Sequence, residues 1–174
     1  MRFRMIVLSA IAVVFSLASV HAGEYASPQG FKFTYPEGWT KTAGKQYEVT
    51  FSGPESDGGA PTFNVLALKV RMELTEENEK LVVDGAKKSF TARGVTVPEI
   101  KTSHVVADGH KLFVMEYDIQ GPTEKSSVRV RSIVFPTKNG TCVLTCGAGK
   151  SQWAEIEPSY TALADSLKFD AEEK

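Results

Sequence analysis

The sequence predicts an α+β fold, an α/β/α sandwich in which two main helices cover a mostly antiparallel sheet of about six to eight strands. Two dipeptides indicate the antiparallel pairing, because Asp108-Gly109 and Asn139-Gly140 each separate two apolar stretches as a two-residue hairpin turn does. A third observation is the change from alternating to helical periodicity at two places in the chain. Each helix has one apolar face, so we expect it to pack against the sheet.

The N-terminal segment, residues 1–22, has the pattern of a signal peptide. Arg2 and Arg4 provide a positive start, an apolar run follows, and Ala22 is a small residue that signal peptidase accepts. We therefore expect cleavage near Ala22, a single domain over residues 23–174, and a periplasmic or extracellular location. An uncleaved anchor is the alternative, but the apolar run falls short of the roughly 20 residues that span a bilayer.

The charge of the mature chain argues against a nucleic-acid partner. Loss of Arg2 and Arg4 reduces the basic residues from 20 to 18, against 21 acidic residues, which leaves a net charge of -3. A mildly acidic and evenly mixed chain does not suit nucleic acid or an anionic membrane surface. We expect an unidentified protein partner associated with the envelope or a membrane, and a chain that is monomeric or weakly oligomeric.

The first strands follow from alternation and turn composition. Residues 31–35 alternate aromatic with polar side chains, and Pro36-Glu37-Gly38 then turns the chain into residues 39–42, which predicts a strand and hairpin. The composition of residues 53–61 predicts a loop. Further strands are predicted at residues 47–51, 62–71, 100–106, 111–119, 128–135 and 141–146.

Two segments have helical signals. Thr75 is a suitable N-cap for a first helix, glutamates occupy its first turn, and Gly94 lies past its end. The second segment has apolar residues at helical spacing, namely Trp153, Ile156, Tyr160, Leu163 and Leu167. Because proline disrupts a helix interior, Pro158 predicts a short helical turn at 151–156 and a separate helix at 158–166.

The chain resembles the PsbP family. The resemblance rests on the opening GFKFTYPEGWTKT, on the order of strands and helices, and on the ending VFPTKNGTCVLTCGAGKSQWAEIEPSYTALADSLKF. It covers nearly all of the mature chain, and its motifs are structural. It implies a PsbP-like antiparallel sheet flanked by helices, a fold shared with the phage-sensitivity protein DcrB and a yeast Ran-binding import factor. It also implies an accessory, assembly or chaperone-like binding role and no chemistry.

The cysteines are expected to be reduced and buried. With the second hairpin turn as assigned, Leu144 lies opposite Phe135 and Cys146 opposite Ile133, so Cys142 and Cys146 share a face with large apolar groups. Residues four apart in a strand are separated by roughly 13 Å, whereas a disulfide tolerates about 7 Å at most. A disulfide or a shared metal ion would need a bulge or an early strand end.

No other residues form a recognisable catalytic or metal site. His104 and His110 are expected on opposite faces of the sheet because of the Asp108-Gly109 turn, so both cannot reach one ion. Glu55 and Asp57 lie in a loop that lacks the further oxygen ligands of a calcium site. The chain has no nucleophile and base that can be argued into contact, so we predict neither an enzyme nor a cofactor.

Charged residues in two central strands specify one pairing register. Only some registers place acid against base and apolar against apolar on one face. The best register pairs Asp118 with Arg129, Glu116 with Arg131, Val114 with Ile133 and Leu112 with Phe135. We interpret the charged end as a solvated salt-bridge ladder. In the alternative interpretation it is a binding site, with Arg129 and Arg131 as anchors for planar anionic or aromatic groups and Glu116 and Asp118 beside them.

The sequence thus favours an exported, non-enzymatic protein that acts through protein contacts as an accessory or assembly factor. Such a protein needs an exposed docking surface. The alternative is a carrier of a small molecule or lipid, which needs an apolar cavity of roughly 300 Å³ or more between sheet and helix. A thiol-dependent enzyme ranks third, because it needs an exposed cysteine of low pKa.

Overall fold

The structure, a computed structural model, describes residues 23–44, 47–56, 58–96, 98–123 and 126–170, and the predicted signal peptide lies outside these ranges. The strands are β1 Gly23–Ser27, β2 Phe31–Tyr35, β3 Thr40–Thr42, β4 Val49–Ser52, β5 Thr62–Leu68, β6 Lys101–Ala107, β7 His110–Ile119, β8 Val128–Thr137, β9 Gly140–Gly149 and β10 Lys168–Phe169. The helices are α1 Glu76–Ala92 and α2 Trp153–Asp165, the second preceded by a 3-10 turn at Lys150–Gln152.

The strands form two sheets, and every strand pairing described is antiparallel. The larger sheet has seven strands in the order β3-β4-β5-β9-β8-β7-β6, and the smaller has three in the order β1-β2-β10. Helix α1 lies on one face of the large sheet, while α2 and the small sheet cover the other. The predicted fold class is confirmed, with the strands divided between two sheets.

The main core lies between the large sheet, the small sheet and α2. Its aromatic members interlock: Phe31 meets Phe135 edge to face at 5.1 Å between ring centroids, and Trp39 stacks on Phe63 at 4.2 Å. From α2, Trp153, Tyr160 and Leu163 are buried in the same cluster. Burying rings of this size supplies much of the hydrophobic stabilisation of a domain.

Helix α1 packs more loosely. The Thr75 hydroxyl caps it by accepting a hydrogen bond from the Asn78 amide at 3.3 Å, as predicted. None of its residues is fully buried. Its half-buried Val82 and Val83 contact a small cluster whose buried members are Phe113, Met115 and Val134. No helix in the described ranges is long and apolar enough to cross a membrane.

The predicted hairpin between residues 31–35 and 39–42 is wrong. β2 pairs with β1 and β10 in the small sheet, whereas β3 pairs with β4 in the large one. The turn between them therefore carries the chain from one sheet to the other. The physical reason is packing, because Phe31 and Phe33 are almost completely buried against the large sheet and must lie above it rather than beside it.

The predicted second turn is displaced by one residue. Thr137 pairs with Gly140, so Lys138 and Asn139 form the turn, and Leu144 lies opposite Ile133 rather than Phe135. Gly140 has no positive φ. A side chain there would approach the Leu68 carbonyl oxygen to 1.9 Å, so this glycine permits close strand contact instead.

The predicted break at Pro158 is also wrong, because α2 is continuous from Trp153 to Asp165. Pro158 lies in the interior of the helix, five residues after Trp153, and its missing amide removes one bond of the ladder. Trp153 and Tyr160 are buried on either side of it. The burial of both segments in the same core offsets the lost hydrogen bond.

Candidate functional site

The charged ladder forms as the sequence predicts. Asp118 pairs with Arg129, Glu116 with Arg131 and Val114 with Ile133. Arg129 donates two hydrogen bonds to the Asp118 carboxylate, at 2.7 and 3.0 Å, and Lys150 approaches the same carboxylate at 3.2 Å. Chiefly through the Arg129 hydrogen bonds, the pKa of Asp118 falls to about 2.

Arg131 is held by helix α2 as well as by the sheet. Its guanidinium donates to Glu116 and, at 2.7 Å, to Glu157. It also lies 5.4 Å from the Trp153 ring and 5.3 Å from the Tyr160 ring, in range for cation–π attraction. Only 19% of the Arg131 side chain is exposed. Side chains of the sheet and of α2 therefore already pair with this guanidinium. That Glu116, Asp118, Arg129 and Arg131 form a binding site stays a prediction.

Both cysteines are free and fully buried. Burial raises the pKa of the Cys146 thiol to about 12, and it also raises the pKa of Cys142. A thiol in this state is a poor nucleophile because the thiolate is the reactive form. The observed pairing of β8 with β9 is shifted by two residues from the predicted one. Because a shift of two preserves the alternation of side chains, Cys142 and Cys146 still lie on the predicted face of the sheet.

The two histidines lie on opposite faces of the sheet, as predicted. His104 Nε2 is 2.8 Å from Glu79 Oε1 on helix α1. His110 packs against the Phe169 ring, 4.5 Å between centroids, on the other side. Of the loop residues considered for calcium, Glu55 is exposed and Asp57 lies outside the described residues. Within the described ranges, no three His, Cys, Asp or Glu residues lie close enough to hold one metal ion.

Strand β6 is the most exposed long edge of the molecule. It ends the large sheet, no strand in the described ranges pairs with its outer side, and six of its seven residues are exposed. Val105 is 40% exposed and Val106 is 71% exposed. The opposite edge, β3, has only three residues. Periodicity predicted the strand but could not show that it lies at an edge.

A cleft of about 240 Å³ opens between α2 and strands β6, β7 and β8. We call it the α2 cleft. Its walls are largely apolar, and its polar lining includes Glu116 and Arg131 of the ladder together with Tyr160. The Tyr160 hydroxyl is buried and has no hydrogen-bond partner among the described residues. Burial raises the pKa of Tyr160 well above its usual range.

A second cleft, of about 440 Å³, lies beyond the charged end of the ladder. It is polar, and its lining includes Glu116, Asp118 and Arg129 together with Lys101. Three of the four predicted candidate residues therefore line this cleft, and two line the α2 cleft.

The family of this chain follows from a comparison with models of known protein families. The model of the PsbP family matches residues 23–169. The chain belongs to the PsbP family. Proteins of this family are generally non-enzymatic, which agrees with two buried thiols of raised pKa. No curated protein sequence matches this PsbP-family chain.

Solved structures resemble this PsbP-family chain in fold. Cyanobacterial PsbP from Synechocystis sp. PCC 6803 aligns with a TM-score of 0.62 at 15% identity, covering 88% of this chain and 95% of that one. LpqN of Mycobacterium tuberculosis, described as involved in cell envelope biogenesis, aligns with a TM-score of 0.55 at 12% identity over 87% and 92% of the two chains. PA94 of Pseudomonas aeruginosa gives 0.54 at 12% identity over 87% and 99%. At these identities the likeness shows the fold alone.

Proposed function

We propose that this protein is an exported, non-enzymatic accessory factor that binds an extended segment of a protein partner along strand β6. The observation that carries the proposal is the long outer edge of β6, with which no strand of the described residues pairs. Proteins commonly protect such edges with proline, bulges, charged side chains or a covering element. β6 contains no proline, its one lysine is its first residue, Lys101, and its ladder with β7 is regular over all seven residues.

The register shows which backbone groups of β6 are free to pair. Ala107 lies opposite His110 across a tight turn in which Asp108 and Gly109 have φ of 50 and 79 degrees. In such a hairpin the residues that flank the turn bond to each other, and bonding then alternates along the strand. The amides and carbonyls of Thr102, His104 and Val106 therefore point away from β7, where an added strand can bind them.

Export is supported by the pattern of residues 1–22 and by the envelope role in the description of LpqN. The carrier alternative has weaker support. The largely apolar α2 cleft of about 240 Å³ is below the roughly 300 Å³ at which ligand pockets of ordinary size begin, and the cleft of about 440 Å³ has a polar lining that does not suit an apolar ligand.

The test selects linear peptides from a displayed library on the folded protein and measures their affinity for edge variants. Val106→Pro removes one outward amide without touching the bonds to β7, and we expect it to weaken selected peptides by about tenfold or more. Val106→Thr is the matched control, because it keeps the amide and the branched shape. Hydrogen exchange should show that the Thr102, His104 and Val106 amides gain protection when peptide is bound.

Three outcomes would overturn the proposal. One is the absence of any selected peptide, and another is binding that the proline variant leaves unchanged. The third is a β6-paired dimer of the chain itself, seen by sedimentation and abolished by Val106→Pro, because a second copy would then be the occupant of the edge.

A further inference from the structure

The α2 cleft opens at the β6 edge of the large sheet. Its floor is formed by Val114 of β7 and Ile133 of β8, which are only 4% and 1% exposed, whereas Val105 of β6 is 40% exposed. Ala107 of β6 and Ala164 of α2 also line the cleft. The part of the cleft that a partner can contact is therefore its mouth, between β6 and α2, where Val105 presents apolar surface.

The backbone pattern places one side chain of an added strand directly against this mouth. By the alternation described above, Val105 bonds to β7. An antiparallel strand added outside β6 therefore meets Val105 in a pair without direct hydrogen bonds, where the Cβ atoms lie roughly 4.5–5.5 Å apart. Paired residues have their side chains on the same face of a sheet, so the partner residue opposite Val105 lies on the α2 side.

The charged groups of the cleft disfavour an acidic side chain at this position. Glu116, Arg131 and Asp165 line the cleft, and Arg131 pairs with Glu157 of α2 as well as with Glu116. Three carboxylates and one guanidinium give these four groups a formal charge of -2. A further carboxylate would be repelled.

The same groups give a basic side chain only a weak advantage. Glu116 and Glu157 are already paired with Arg131, and Asp165 is exposed to solvent, which screens its attraction for a cation. An apolar side chain is not repelled by the carboxylates and removes the exposed surface of Val105 from water. The mouth of the cleft therefore favours an apolar residue.

We propose that the α2 cleft selects a large apolar side chain, such as leucine, at the partner residue directly opposite Val105. This inference rests on the strand addition proposed above and adds a sequence preference to it. The side chain packs on Val105 and covers the mouth of the cleft towards Ala164. In strand addition, main-chain hydrogen bonds supply affinity for an extended segment, and pockets for alternate side chains supply the specificity.

A cysteine scan first locates the partner residue opposite Val105. Val105→Cys is mixed with selected peptides that carry one cysteine each, with oxidised glutathione as the oxidant. A pair without direct hydrogen bonds brings its Cβ atoms close enough for a disulfide, so one peptide position should cross-link fastest. Cys142 and Cys146 are fully buried and do not compete. Cross-linking spread evenly over all positions would overturn the inference, because no single residue would then face Val105.

The affinity test compares peptides that differ only at the position found. Leucine should bind about three- to tenfold more tightly than asparagine, which has a similar shape, because leucine removes apolar surface from water at the mouth. Aspartate should bind more weakly than asparagine, and this difference should shrink as salt is added. A lysine peptide that binds more tightly than the leucine peptide would overturn the inference, because charge would then outweigh apolar contact.

Two variants test whether the preference comes from the cleft. Val105→Thr keeps the branched shape and the backbone bonds, and it should reduce the ratio of leucine to asparagine affinity to about half or less. Ala164→Leu fills the mouth and should abolish the preference for leucine over alanine. Ala162→Leu, on the exposed side of α2, is the matched control and should leave that preference unchanged. Circular dichroism establishes that each variant is folded.

The failures of the two proposals are distinguishable. If peptides bind and Val106→Pro weakens them, but their affinity does not depend on the residue opposite Val105, strand addition stands and the selective cleft is wrong. If no peptide depends on the β6 edge, both proposals are wrong. A leucine preference that persists unchanged in both Val105→Thr and Ala164→Leu would overturn the assignment of the preference to the cleft.

Discussion

The two faces of the large sheet are covered in different ways. On one face, α2 buries Trp153, Tyr160 and Leu163, and the small sheet adds Phe31 and Phe33 to the same core. On the other face, α1 has seventeen residues and none of them is fully buried. The shorter helix is therefore the one that is built into the core.

The two faces should therefore contribute unequally to the free energy of unfolding. Burial of large side chains determines most of the free energy of unfolding, so the α2 face should dominate it. Helix α1 covers the other face with partly exposed contacts and should open locally before the domain unfolds. The α2 cleft belongs to the stable face, whereas β6 presents alternate side chains to both faces, as the contact of His104 with Glu79 of α1 shows.

The largest expected effect is on the stable face. Leu163→Ala leaves a cavity in the main core and should lower the free energy of unfolding by about 2–5 kcal/mol. Val82→Ala, the matched change on the half-buried face of α1, should cost about 1 kcal/mol or less. Urea denaturation followed by circular dichroism measures both. Equal losses of unfolding free energy in the two variants would show that the two faces do not differ in this way.

A smaller effect tests whether α1 opens on its own. Thr75→Ala removes the hydroxyl that caps the helix, a change worth about 1 kcal/mol to the helix. If α1 opens locally, its amides should exchange faster by a corresponding factor while the urea midpoint of the whole domain hardly moves. Thr91→Ala, which alters a threonine near the other end of the same helix, is the control. A full loss in global stability would mean that the two faces unfold together.

The smallest effect concerns acid. The pKa of Asp118 is lowered to about 2, so its pairing stabilises the fold above the unfolded pKa near 3.8 and is lost as the pH falls from that value towards 2. Asp118→Asn should remove this part of the acid dependence, by at most about 1 kcal/mol because the pair is partly solvated. Urea midpoints at pH 7 and pH 2.5 measure it. An unchanged difference between the two pH values would show that other carboxylates carry the acid sensitivity.

The alternation of residue types within two strands was enough to predict the register in which β7 pairs with β8. Glu116 and Asp118 alternate with apolar residues in one strand, and Arg129 and Arg131 do so in another, so a shift by one residue would place acid against apolar groups. The observed pairs agree with this prediction. The opposite-face positions of His104 and His110 followed in the same way from the tight turn at Asp108 and Gly109.

Properties set by distant contacts could not be predicted. The alternation in residues 31–35 is the same whether the strand lies in the large sheet or above it, and only the contact of Phe31 with Phe135 decides. Strand β1 was missed because GEYAS is short and has few residues typical of strands. The α2 cleft is assembled from α2 and three strands, so no sequence window contains it.

Strand β10 is made after all the other strands and helices described, yet it pairs with β2 near the start of the chain. Its two residues, Lys168 and Phe169, pair with Lys32 and Phe31 of β2, and the Phe169 amide donates to the Asp108 carboxylate at 3.0 Å. A chain made from its N-terminus therefore holds Phe31 without Phe169 beside it until helix α2 has been completed. A nascent chain stopped before residue 168 would expose one side of a core ring, which makes the final two-residue strand the point at which folding can be completed.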